Sequence, residues 1–207
     1  MVPTLTQLPE DIIRQETASV IKKYLCEKTY TAVSFCREVT LREDFSTQTT
    51  WLNGTLCLGA EGYQRIVPLS GCGLGPVDAL FGCLHRHFAG EYSFLDILHL
   101  REFKVDTMRA PYPYLRTSAP AMATIIVQVD ERSAVAFRYE ARSLLEASLR
   151  STLTMFEYFI NAHTTMALLY KLVKEYKARS RPDLYEQALR DLVNLNRCAY
   201  YKQEKPN

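Results

Sequence analysis

Gly71-Cys72-Gly73-Leu74-Gly75-Pro76-Val77-Asp78-Ala79-Leu80 is the stretch on which the fold turns. Three glycines at alternate positions permit positive φ and close approach of another backbone or a ligand. Pro76 fixes φ near the helical value and suits a first helical position, where its missing N–H costs nothing. Beyond it Val77, Leu80, Phe81, Leu84 and Phe88 fall on one helical face, and Gly90 supplies a stop. The expectation is a strand, a glycine turn and a helix with one buried face. Such a helix points its first N–H groups at whatever fills the turn, so an anion is its natural ligand; a plain tight strand-to-helix connection is the alternative. Gly71, Gly73 and Gly75 form neither the phosphate loop ending in Gly-Lys-Ser/Thr nor the dinucleotide fingerprint.

Upstream, Ala32 to Val67 is rich in β-branched residues at period two and is broken at Asn53-Gly54 and Glu61-Gly62, both turn formers. Three antiparallel strands are predicted, through Val39–Thr49, near Thr55–Leu58 and near Tyr63–Val67, with Pro68 ending the third. After Gly90 the order recurs: strands over Tyr92–Val105, Met122–Val129 and Ala134–Tyr139, then a helix from Ser143 to Ala162. Thr107 to Ala121 holds Pro111, Pro113 and Pro120 with Tyr112 and Tyr114, and reads as a loop. Two βββα copies imply a pseudo-twofold α+β fold.

The run Gly-Leu-Gly-Pro-Val-Asp-Ala-Leu at Gly73–Leu80 resembles the Gly-x-Gly-Pro-Val-Asp-Ala signature of the C-terminal regulatory domain of 2-isopropylmalate synthases and citramalate synthases. Asp44-Phe45-Ser46-Thr47-Gln48-Thr49 is similar to the first strand of that domain, and Ser143-Leu144-Leu145-Glu146-Ala147-Ser148 to the start of its second helix. The resemblance covers roughly residues 44–162. It implies paired βββα units that dimerise and bind a feedback inhibitor, leucine or isoleucine, in branched-chain amino-acid biosynthesis. Three departures touch the implied pocket: Leu74 replaces a small or polar residue, Ser143 an acidic one, and Tyr139-Glu140-Ala141-Arg142 the usual glycines.

The resemblance implies effector contacts at Gly73, Leu74, Gly75, Pro76, Val77, Asp78, Ala79, Ser143, Ala147 and Ser148. Helix-N-terminal amides would take the ligand carboxylate and Leu74, Val77, Ala79 and Ala147 its side chain. Asp78 would accept from the amine, although an acid near a helix start also complements the macrodipole. A purely structural dimerisation domain with a decayed pocket is the alternative, as is a fragment of a full acyl-transferring synthase.

The remaining segments flank that unit. Residues 1–43 hold a helix from Leu8 to about Leu25 and a lead-in strand, the helix being either a linker remnant or a cover for the sheet. Residues 163–207 form a helical extension: a helical pattern over Met166–Tyr176, a break and recap at Ser180-Arg181-Pro182-Asp183, and a stripe of Leu184, Leu189, Leu192 and Val193.

At 207 residues, 47% hydrophobic, the chain can bury one medium domain plus appended helices, and is too short for a regulatory domain and a catalytic barrel together. A net charge of +2 with mixed signs offers no basic stripe for nucleic acid and no polybasic tract for a membrane. With no apolar run of spanning length and no signal-like N-terminus, a cytoplasmic protein is expected. Cys26, Cys36, Cys57, Cys72, Cys83 and Cys198 form no C-x-x-C pair, which favours reduced thiols. Catalysis by this chain alone is not expected, nor a metal or cofactor. His85-Arg86-His87 matches the synthase metal pair only superficially, because residues two apart on a helix project about 200° from each other. His99 and His163 lack a paired carboxylate or thiol near in sequence. A branched-chain amino acid, a second copy of the chain and a separate barrel subunit are the partners the resemblance allows.

Overall fold

The computed structural model describes residues 9–36, 38–60, 62–107, 120–129 and 134–196. The protein is α+β, and its described residues form two antiparallel sheets and four helices. In chain order these are α1 (Pro9–Tyr24), β1 (Ala32–Phe35), β2 (Thr40–Asp44), β3 (Thr49–Ala60), β4 (Tyr63–Gly73), α2 (Pro76–Phe88), β5 (His99–Thr107), β6 (Ala121–Gln128), β7 (Ala134–Ala141), α3 (Leu144–Ala178) and α4 (Pro182–Asn196).

In the first sheet β3 is central. β4 pairs along its whole length on one side, while β1 and β2 share the other, with Phe35 opposite Leu56 and Thr40 opposite Asn53. The first turn lies elsewhere than expected. Asn53 and Gly54 sit mid-strand in β3, facing Ser70 and Leu69, and the chain reverses instead at Phe45–Gln48. There Asp44 Oδ1 accepts from the Ser46 and Thr47 amides and the Ser46 hydroxyl, and Gln48 takes φ 51°. An aspartate organising its own turn outweighs Asn-Gly where the asparagine has a cross-strand partner, here the Ser70 hydroxyl at 2.8 Å. The second expected turn is present at Gly62, whose φ of +84° only glycine takes easily.

Pro68 does not end β4, which runs on to Gly73. It is tolerated because β4 is an edge strand. Gly71 and Gly73 therefore lie in the strand, and Gly62 is the glycine with positive φ. Their register with Leu52 and Thr50 puts both on the inner face beneath α2. A Cβ at Gly71 would come 2.5 Å from Cys83 Sγ, and one at Gly73 would come 2.5 Å from the Ala79 nitrogen. These glycines serve close packing of helix on strand, not a left-handed turn.

The second sheet is a β5-β6-β7 meander. Its first strand begins at His99, not Tyr92, because Ser93–Asp96 forms a 3₁₀ turn that buries Phe94 and Leu95 ahead of it. The proline-tyrosine segment lies outside the described residues from 108 to 119. Where two helical segments are expected, over 143–162 and 166–176, α3 is one helix of 35 residues. The helix runs unbroken through position 162, with Thr164 and Thr165 donating their hydroxyls to the Ile160 and Asn161 carbonyls one turn back and so not competing with the helix as turn formers. Ser180, at φ 52°, breaks it before α4.

Helix α2 packs on β3 and β4, α3 on β6 and β7, and the two helices on each other. Their shared core is aromatic: Phe88 meets Phe156 at 5.1 Å, and Phe94 and Phe137 each meet Phe159 at 5.8 Å between centroids. α1 lies along β7 and α3, burying Val20 and Ile21, with Arg14 donating to the Ala136 carbonyl at 3.1 Å and Asp11 paired with Arg138.

A candidate effector cleft between two helix starts

The starts of α2 and α3 differ in how their amides are satisfied. At α2 the N-cap is Gly75, extended at φ −163° and ψ 176°, and no side chain caps the helix. Ala79 N bonds to the Gly75 carbonyl at 2.8 Å, and Pro76 has no N–H, which leaves the Val77 and Asp78 amides as the first donors without a helical acceptor. Asp78 bends its carboxylate back to accept from Leu74 N at 2.8 Å, fixing the approach to the helix. At α3, by contrast, Ser143 Oγ accepts from Glu146 N at 3.3 Å, a serine cap of the usual kind. Ser148 turns its hydroxyl into its own helix, donating to the Leu144 carbonyl at 2.8 Å.

Both helix starts open on one cleft of about 1030 Å³. Its floor is the inner face of β5. Phe103 and Val105 stand opposite buried Ile125 and Ala123, and an irregularity between Leu100 and Glu102 brings Leu100, opposite Val127, into the same phase. These three remain exposed and line the cleft. The facing wall comes from the first sheet: Leu41 and Glu43 on the inner side of β2, and Phe45 and Leu74 beyond the strand ends, 87% and 81% exposed. Among the described residues, seven of the eleven exposed large apolar side chains line this cleft: Phe45, Leu74, Leu100, Phe103, Val105, Leu144 and Leu145. That concentration exceeds the scattered exposure ordinary for a surface.

Of the site residues implied by the motif, Leu74, Gly75, Pro76, Val77, Asp78, Ser143 and Ser148 line the cleft. Gly73 lies under the helix start, against the Ala79 nitrogen and Asp78. Ala79 and Ala147 are fully buried in the core. Sequence reasoning missed Glu43, Leu41, Phe45, Leu144, Leu145 and the β5 residues. Leu41, Glu43 and Phe45 alternate as a strand face does, but which face they occupy depends on the turn at Phe45–Gln48, and Leu100 joins Phe103 only through the irregularity in β5.

The other candidate groups stand apart. His85 Nε2 lies 2.9 Å from Asp96 Oδ1, and His87 meets Phe88 edge-on. Among the described residues no three His, Cys, Asp or Glu side chains are grouped to hold a metal. Cys26, Cys36, Cys57, Cys72 and Cys83 are in no disulfide among the described residues; burial pushes the Cys83 thiol up, while a hydrogen bond with Thr29 pulls the exposed Cys26 down. No helix among the described residues is long and apolar enough to cross a membrane. The chain matches no protein-family model and no curated protein.

Proposed function

We propose that this chain is an amino-acid-binding regulatory and dimerisation module, similar to the leucine feedback domain of 2-isopropylmalate synthase, and not a catalyst by itself. The observation that carries the reading is the convergence of the uncapped α2 start with an apolar floor and two carboxylates on a single cleft. A branched-chain amino acid needs donors for its carboxylate, acceptors for its amine and apolar surface for its side chain, and the cleft offers all three. The succession of three strands and a helix, β2-β3-β4-α2 and then β5-β6-β7-α3, supports a pair of βββα units.

Calorimetric titration of the chain with leucine, isoleucine and valine tests this. At least one should bind, and Gly75→Val, which keeps an extended φ but projects a branched side chain beside the Val77 amide, should abolish the heat. Binding that survives Gly75→Val would place the pocket elsewhere.

The exposed apolar side chains favour a second reading of the same surface, as the contact between two copies whether or not a ligand is held. Sedimentation at micromolar concentration should show a dimer. A lone 23.8 kDa species would remove dimerisation from the proposal.

A further inference from the structure

We propose that Glu43 recognises the ligand amine, so that the cleft takes a free amino acid and rejects the 2-oxo acid bearing the same side chain. This assignment rests on the amino-acid reading of the cleft. Among the described residues lining it are two carboxylates, Glu43 and Asp78, and no Lys, Arg or His. An anionic ligand entering that lining meets net negative charge unless it carries its own cation.

The two carboxylates are not equivalent. Asp78 Oδ2 is engaged by the Leu74 amide and belongs to the architecture of the helix start. Glu43 has no hydrogen bond or ion pair among the described residues. Its position opposite Thr50, two residues along β2 from Leu41, sets it on the inner face of the sheet, so it lines the cleft instead of the outer surface. The cleft lining thus includes the α2 start with its Val77 and Asp78 amides, the Glu43 carboxylate and the apolar side chains of Leu100, Phe103 and Val105. A zwitterion with an apolar side chain complements all three. A 2-oxo acid would bring its carboxylate beside Glu43 with no amine to pair it, and a ligand that leaves a polar partner unpaired is disfavoured against one that pairs it. The ordinary role of an exposed strand glutamate is only to be solvated, and that role predicts no selectivity.

The test is calorimetry on the intact chain with leucine and with 4-methyl-2-oxopentanoate, for wild type and Glu43→Gln, with thermal unfolding alongside. Wild type should bind leucine at least about tenfold more tightly than the oxo acid. In Glu43→Gln the leucine affinity should fall by about tenfold, to that of the oxo acid, with the unfolding midpoint unchanged. Leucine binding undiminished in Glu43→Gln, or equal wild-type affinity for the two ligands, would overturn the role of Glu43 while leaving an amino-acid site in place. If wild type binds neither leucine, isoleucine nor valine, the assignment and the amino-acid reading fall together. The wild-type comparison of the two ligands stands even if the variant folds poorly.

Discussion

A methyl group added at Gly73 would lie 2.5 Å from both the Ala79 nitrogen and Asp78 Oδ2, whereas one added at Gly75 would meet nothing within 4 Å. Gly73→Ala must push α2 off β4, an overpacking cost of about 1–3 kcal/mol. Gly75→Ala faces no backbone strain at φ −163° and loses only the modest preference for glycine over alanine at an N-cap, about 0.5 kcal/mol. Urea unfolding of the two variants should separate them in that order; equal losses would mean that the strand and helix are less closely packed than described. A second residue links the fold to pH. His163 on α3 lies against Tyr92 at 5.8 Å and Phe94 at 5.9 Å, and burial holds its pKa below the ordinary 6.5. The unfolded chain takes up the proton first, so the stability from burying the neutral ring is complete above 6.5 and is lost as pH falls through the lowered folded value. Thermal midpoints measured between about pH 7.5 and pH 5 should decline, and less steeply in His163→Gln; identical slopes would remove His163 from the account.

At the scale of elements, β1 is a short edge strand held to α3 by side chains. Asn161 accepts from Thr31 N and donates to the Thr31 carbonyl, both at 2.8 Å, imitating a neighbouring strand, while Glu157 accepts from Val33 N and the Tyr30 hydroxyl at 2.7 Å. Asn161 is fully buried. Asn161→Ala strands two backbone groups at a cost of about 1–3 kcal/mol, and amide exchange at Thr31 should accelerate while β6 stays protected. Unchanged exchange at Thr31 would show that the clamp does not hold the edge. Nothing in local sequence announces this pairing, whose partners stand 130 positions apart. What was legible followed from strong local chemistry: the helix after Pro76, the turn at Gly62, the meander β5-β6-β7 and the break near Ser180. What was not legible depended on competition between signals. Asp44 won the turn from Asn53-Gly54, edge position let β4 pass Pro68, and Thr164 and Thr165 returned their hydroxyls to the helix instead of ending it.

For the whole molecule, the motif and the cleft divide the labour of the proposal. Gly73–Leu80 marked the α2 start, and seven of the ten residues implied by resemblance line the cleft. The remaining three are packing positions, because Gly73, Ala79 and Ala147 fall on the faces that join helix to strand and helix to core. The other wall, with Glu43 and the β5 floor, needed the register of both sheets and could not be placed from periodicity alone. On the proposed reading, the uncapped amides of α2 receive an amino-acid carboxylate. Nuclear magnetic resonance of the ¹⁵N-labelled chain titrated with leucine tests it most directly. The Val77 and Asp78 amides should shift saturably, with a much smaller response at Glu146, whose amide the Ser143 hydroxyl already occupies. An absence of saturable shifts at Val77 and Asp78, or a response centred on the α3 start, would contradict it.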